Sequence, residues 1–272
     1  MPINIKISKK LHYSIKEDKM QHIKDVTAAL DDLKKNKNLN FLIKNRFEWM
    51  NNYIEINTQG IEVGAAAGFS KNFTKNKSLL ITDFCNDDHL DIKNLDAQNT
   101  NLEHESFEYV IASNMLHHIP YPLKFFNEMY RILKKNGKLI IFEPNCSLLF
   151  QIITLITKHE GYDFTVDPWS IEKPIIKEKH LWAGNMAASN LIFDNKTLFE
   201  KKIGNKFTLI HHKYDECLIF INSGGVYSKT IYIPLNNFFL KFLKQIDNIL
   251  CFTMPSIFAL GQQIVLKKKD YL

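Results

Sequence analysis

The chain has 272 residues, 45% hydrophobic and 24% charged, the ordinary balance of a globular protein with a large core. Its net charge of +6 is mild and its lysines are dispersed, with no basic stripe interleaved with aromatics, so no nucleic-acid partner is expected. Cys85, Cys146, Cys217 and Cys251 stand far apart without a C-x-x-C pair, which suggests neither a zinc site nor a disulfide framework and fits a reduced, cytoplasmic setting.

The chain opens with "MPINIKISKK", which lacks an apolar h-region, so no signal peptide is expected. Residues 1–57 read as an N-terminal helical segment, with Ile23, Val26, Leu30 and Leu33 at mixed helical spacing. From 58 to 145 the rhythm changes. Short apolar runs at 60–64, 79–84, 107–113 and 137–143 read as strands buried on both faces. Between the last two, "PLKFFNEMYRILKKNG" (122–137) has helical spacing, a proline near its start and Gly137 as its stop signal. Strand, helix, strand in that order implies a parallel sheet with right-handed crossovers. Residues 146–195 are irregular and read as a substrate-side lid insert. Residues 196–272 complete the sheet, with a helix at 197–204 and strands at 206–214 and 262–269. They also hold an apolar insert, 215–260, with a helical stretch at 235–250. The apolar runs at 147–157 and 248–261 fall short of the ~20 residues a membrane-spanning helix needs. They suit a greasy pocket wall, a dimer contact or a peripheral contact with a membrane surface.

The stretch "IEVGAAAGFS" (61–70) places Gly64 and Gly68 just after a strand. In an open parallel sheet, ligands bind beyond the carboxyl ends of the strands, and a bare turn there admits a ligand close to the backbone. No G-x-x-x-x-G-K-[ST] occurs, so a P-loop is excluded. A dinucleotide fingerprint fits poorly, because Ala66 and Phe69 stand where its second and third glycines would fall. Glu62 is placed to face a positive group. Asp83 ends the second strand, where an acid holds ribose hydroxyls, and Asp96 with small Ala97 precedes the next strand, where they would meet a nucleobase edge.

Taken in order, "EVGAAAG", "LLITDF" and "LDAQNTNLEHESFEYVIASNMLHHIPYPLKFFNEMYRILKKNGKLIIFEPN" resemble the class I S-adenosylmethionine-dependent methyltransferases, and most of all their small-molecule branch. The resemblance spans roughly residues 58–145. It implies an α/β fold: a Rossmann-like seven-stranded mostly parallel sheet with helices on both faces. It also implies S-adenosylmethionine as cofactor. Glu62, Gly64, Ala66 and Gly68 would cradle the methionine end, Asp83 the ribose, and Asp96 and Ala97 the adenine, with Asn114 and Met115 lining the site. Two positions depart from the pattern: Ala66 replaces the usual middle glycine, and "KKNG" (134–137) replaces K-P-G-G.

Methyl transfer needs in-line alignment, exclusion of water and, for a hydroxyl acceptor, a general base. His118, with His117 beside it, and the loop residues His159, Glu160 and Asp163 are the candidates. No metal is expected, because the 158–169 loop lacks a second histidine. Trp169, Trp182, Tyr162, Phe164 and Asn185 are candidate walls of an acceptor pocket or core residues. The expected activity is methylation of a small-molecule or lipid- or sugar-linked acceptor, as in surface-glycan synthesis, by a monomer or homodimer. A nucleic-acid methyltransferase is the alternative, but "SNML" stands where its Asn-Pro-Pro-Tyr-type motif belongs. A non-catalytic cofactor-binding scaffold is the other.

Overall fold

The computed structural model describes residues 5–11, 28–158, 160–176, 183–226 and 230–270. Its strands are β1 (Lys10–Leu11), β2 (Gly60–Val63), β3 (Leu80–Thr82), β4 (Phe107–Ser113), β5 (Leu133–Pro144), β6 (Tyr162–Asp163), β7 (Phe207–Asp215) and β8 (Gly261–Lys268). Its helices are α1 (28–35), α2 (Lys37–Glu48), α3 (Ser70–Phe73), α4 (Pro122–Ile132), α5 (Leu148–Thr157), α6 (Ala188–Phe193), α7 (Lys196–Ile203), α8 (Leu218–Ile221), α9 (Asn237–Thr253) and α10 (Pro255–Phe258). The main sheet has the order β3-β2-β4-β5-β8-β7. The first four strands of that order run parallel, β8 is antiparallel to β5, and β7 is antiparallel to β8.

Side-chain alternation explains why the central strands read as unbroken apolar runs. Val110 and Ala112 of β4, Leu139 and Ile141 of β5, and Ile264 and Leu266 of β8 face one core with Phe126 and Met129 of α4. Tyr109 and Ile111, Ile140 and Phe142, and Val265 face the other, with Leu39, Ile43 and Phe47 of α2. Each face is covered by helices, so both faces must be apolar.

The sheet has six strands among the described residues rather than the seven expected. Beyond β3 the seventh position shrinks to one parallel bridge, Thr82 to Ile92. The segment 83–99 is rich in Asp and Asn, which favour turns over strands. Its amides turn inward instead: Leu95 N–H bonds Asp83 O at 2.9 Å and Asn94 N–H bonds Cys85 O at 3.0 Å. The helix expected over 122–137 ends at Ile132, because Leu133 is fully buried and pairs with Phe107 as the start of β5. Gly137 marks a tight bend in that strand, where a Cβ would lie 2.8 Å from Lys134 O, not a helix stop. The N-terminal segment is not helical throughout. Lys10 and Leu11 pair antiparallel with Asp163 and Tyr162, and the Lys10 ammonium lies 3.3 Å from the Asp163 carboxylate.

The N-terminal helices and the 215–260 insert meet at a buried ion pair. Arg46 of α2 donates from Nε and Nη2 to both Glu216 oxygens, at 2.6 and 2.8 Å, with its guanidinium over the Phe142 ring at 5.1 Å. Both side chains are buried. Removing one partner strands the other charge in a dry site. Glu216→Ala is expected to lower stability by about 3–5 kcal/mol in urea unfolding, and Arg46→Ala by a similar amount. The double substitution is expected to cost much less than the sum of the two.

Candidate active site

Strand register sets the level at which each candidate residue leaves the sheet. Val63 pairs with Thr82 and with Ala112, and Ala112 pairs with Ile141. The residues one or two positions further out therefore share one edge: Gly64 after β2, Asp83 after β3, Asn114 after β4 and Glu143 near the end of β5.

Gly64 and Gly68 both take φ of +68°, the left-handed region. A Cβ on Gly64 would lie 2.7 Å from Met115 Cβ, so the bare backbone also lets Met115 pack onto the loop. Ala66 keeps the turn that a glycine would make, at φ 44°. Two hydrogen bonds hold it there: its N–H donates to Asp83 Oδ2 at 2.8 Å and its carbonyl accepts from His89 Nε2 at 2.6 Å. Asp83 Oδ1 accepts from Cys85 N–H at 3.1 Å. Glu62 is buried behind the loop and accepts from the Ser70 hydroxyl. Burial pushes its carboxyl up to about 8; the Ser70 hydrogen bond opposes this and the Asp83 charge adds to it.

Asp96 is half-buried, with Oδ1 accepting from Gln98 N–H at 2.8 Å, and Ala97 beside it is buried. Asn114, at φ 53°, donates its N–H to Phe142 O at 2.7 Å and turns the chain toward Met115. Asp83, just past β3, and Asp96, in the loop before β4, thus present hydrogen-bond acceptors, with the Glu62 carboxyl buried behind the glycine turn. S-adenosylmethionine offers donors there: an ammonium, two ribose hydroxyls and an adenine amine. The residues fit the group.

A second cluster adjoins Met115. Glu143 is fully buried, and its Oε1 accepts from the Met115 and Leu116 amides, each at 2.7 Å. Its Oε2 takes the His117 amide at 3.3 Å and His117 Nδ1 at 2.7 Å. On the far side of that ring, Nε2 lies 3.6 Å from Glu160 Oε2. Burial alone would push the His117 imidazole down, but Glu143 and Glu160 outweigh it and hold the ring above the ordinary histidine range. His118 is half-buried, its ring centroid 4.1 Å from that of His117. Burial, then the neighbouring His117 charge, holds His118 below the ordinary range. Its Nδ1 donates to Ala183 O at 2.9 Å, which leaves Nε2 as the basic nitrogen. Gly184 closes over the cluster, where a Cβ would lie 2.5 Å from Glu160 Oε2.

His117, His118 and Glu160 also bring donor atoms within 4.8 Å of one another, a set that could hold a cation. The fold supplies the histidines that the 158–169 loop alone lacks. Asp163 stands apart from this cluster. It accepts from Thr165 N–H and Oγ1 at 2.8 and 2.5 Å, and those bonds with Lys10 outweigh burial and lower its carboxyl. His159 and Trp182 lie outside the described residues. Trp169 packs on Phe126 and Phe199 in the core. Asn185 is a cross-link: its N–H bonds His117 O at 2.8 Å, and its side chain brackets the Asp163 backbone at 2.8 and 3.0 Å. Sequence reasoning did not single out Glu143 or His89. The signal for Glu143 was an acid closing an apolar strand on the ligand edge; His89, in a polar loop, had none.

Residues 60–141 match a family described as "Methyltransferase domain". That segment runs from β2 into β5 and holds the glycine turn, Asp83, Asp96 and the 114–118 loop. Residues 60–141 therefore carry a methyltransferase domain, with S-adenosylmethionine as its cofactor. Similar solved structures include a SAM dependent methyltransferase from Archaeoglobus fulgidus, at 16% identity and a TM-score of 0.47, covering 84% of this chain and 93% of that one. A putative sarcosine dimethylglycine methyltransferase from Galdieria sulphuraria shows 13% identity and a TM-score of 0.42, covering 86% of each chain. A possible histamine N-methyltransferase from Thermotoga maritima shows 16% identity and a TM-score of 0.44, covering 84% of this chain and 93% of that one. No curated protein matches the sequence.

Glu62 gives a pH test of the loop. The folded protein keeps its proton up to about pH 8, whereas the unfolded chain releases it near 4.5, so native stability falls as pH rises through that window. Glu62→Gln removes this dependence. Its stability relative to the native protein is expected to rise with pH between those values, by up to ~1.4 kcal/mol per unit, and to level off above them. Urea unfolding across the window measures it; parallel curves would contradict the burial of an ionisable Glu62.

Proposed function

We propose that the chain transfers a methyl group from S-adenosylmethionine to a hydroxyl-type acceptor on a small molecule or a lipid- or sugar-linked intermediate, such as one of surface-glycan synthesis. The observation that carries this reading is the His117–His118 pair: the His117 ring is seated between the Glu143 and Glu160 carboxylates, and the His118 ring beside it is hydrogen-bonded through Nδ1 to Ala183 O.

When bound, the cofactor supplies a methyl carbon on a positively charged sulfur. Glu62, Gly64, Ala66 and Gly68 hold its methionine end. Asp83 takes the ribose hydroxyls, since one bond to each carboxylate oxygen from the loop leaves lone pairs to spare. Asp96 and Ala97 meet the adenine, and Asn114 and Met115 line the floor. His118 Nε2 accepts the acceptor's proton; its lowered pKa keeps it neutral and ready near pH 7. Glu143 and Glu160 act through His117 as positioning residues. The 183–185 segment lies over the cluster and excludes water.

Transfer of labelled methyl from the cofactor into the small-molecule and lipid fractions of a cell extract tests the reading. Absence of label above background with the native protein sinks it. Asp83→Asn is expected to weaken cofactor binding by about 10–100-fold in calorimetry. His118→Gln is expected to leave that affinity unchanged and lower kcat by about 10²–10⁴. The native rate is expected to rise with pH through an inflection below the ordinary histidine value of 6.5, and the variant to lack it.

A further inference from the structure

Helix α9 wears its apolar stripe outward. Phe238, Phe242, Ile249 and Phe252 recur at helical spacing on one side, with exposed Gln245 among them, and are 74%, 57%, 64% and 87% exposed. The opposite side carries Leu240, Asp247 and Cys251, all buried. Asp247 fixes this rotation. Its carboxylate accepts from the amides of Cys217, Leu218 and Ile219 at 3.1, 2.8 and 3.2 Å, and so caps α8. Turning the helix to bury its phenylalanines would break those bonds. Four large side chains in one row are more than the scattered apolar residues a surface ordinarily shows.

The neighbouring surface extends the pattern. Helix α10 packs against both α9 and α5, and α5 exposes Ile152 and Ile156 without a charged residue along its length. From Thr230 to Phe258 the one acid is Asp247, which is buried. Lys241 is exposed at the border of the stripe, and Lys158 follows α5. The face is therefore apolar with basic and no acidic exposed neighbours on these elements, complementary to an anionic lipid surface. No described helix is long and apolar enough to cross a membrane, so α9 would lie along the surface.

We infer that the outward face of α9, with α5 beside it, seats the protein on an anionic bilayer. The placement serves the site. Helix α5 starts just after β5 ends, and α10 leads into Gly261, which pairs with Pro144 at the same edge. Asn145 ties these parts together, donating to Ala259 O at 2.8 Å and Pro255 O at 3.2 Å. A bilayer on this face lies beside the edge that carries the methyl-transfer site. That delivery of a lipid-linked acceptor rests on the proposed function; the seating itself does not.

Co-sedimentation of the full chain with phosphatidylcholine vesicles, with and without phosphatidylglycerol, tests the inference. The native protein is expected to pellet with the anionic vesicles and much less with the neutral ones, more weakly at high salt. The combined Phe238→Ser, Phe242→Ser, Ile249→Ser and Phe252→Ser variant is expected to bind those vesicles at least ~10-fold less tightly while binding the cofactor normally in calorimetry. Lys241→Glu alone is expected to weaken binding to anionic vesicles and not to neutral ones. No pelleting with either vesicle overturns the inference. So does a concentration-dependent dimer in analytical ultracentrifugation that the fourfold variant abolishes. Vesicle binding without methyl transfer would leave the seating intact and overturn the acceptor reading instead.

Discussion

A buried carboxylate organises the working end of this protein. Glu143 is fully enclosed at the tip of β5, where an uncompensated charge would be costly. Three successive amides and one imidazole compensate it. In doing so they fix residues 115–118. Met115 is pressed onto Gly64 of the glycine turn, and the two histidines are presented on the other side. One interaction therefore sets the distance between the two halves of the site. The shared strand register supplies the rest, by bringing Gly64, Asp83, Asn114 and Glu143 to a common edge.

The same logic extends outward. The sheet edge is stable only if the segments that close it are anchored, and each anchor is a long-range polar contact. Arg46 and Glu216 join the N-terminal helix to the C-terminal insert. Asn185 and Asp163 join the segment around β6 to the loop after β4 and to the short β1 strand. Asp247 joins α9 to α8 and determines which way its phenylalanines point. Buried polar groups of this kind contribute modestly when paired and cost heavily when orphaned.

The placement of the glycine turn and Asp83 at the sheet edge was legible in the sequence because these residues are local to strand ends. An apolar run followed by a turn places Glu62, Gly64 and Asp83 without any knowledge of tertiary contacts. The parallel core was legible for the same reason. The acceptor half was not. His117 and His118 are adjacent in sequence, yet His117 is shifted up by Glu143 and Glu160, 26 and 43 residues away, while burial and His117 itself shift His118 down. Strand count and helix ends failed where local preference met tertiary demand. The Asp- and Asn-rich segment after β3 spent its amides on turns, and Leu133 left its helix to pair with Phe107. The aromatic and amide residues around 162–185 read equally well as pocket or core; Trp169 is core and Asn185 is a cross-link.

The central claim is that Glu143 couples the cofactor loop to the histidine pair. Calorimetric titration of S-adenosylmethionine into the native protein and into Glu143→Gln tests it most directly. The amide removes the charge that gathers residues 115–117, so Met115 no longer seats on Gly64. Cofactor affinity is expected to fall by about tenfold or more, the loss of a charge-assisted hydrogen bond or two. Equal affinity in the two proteins would contradict the account.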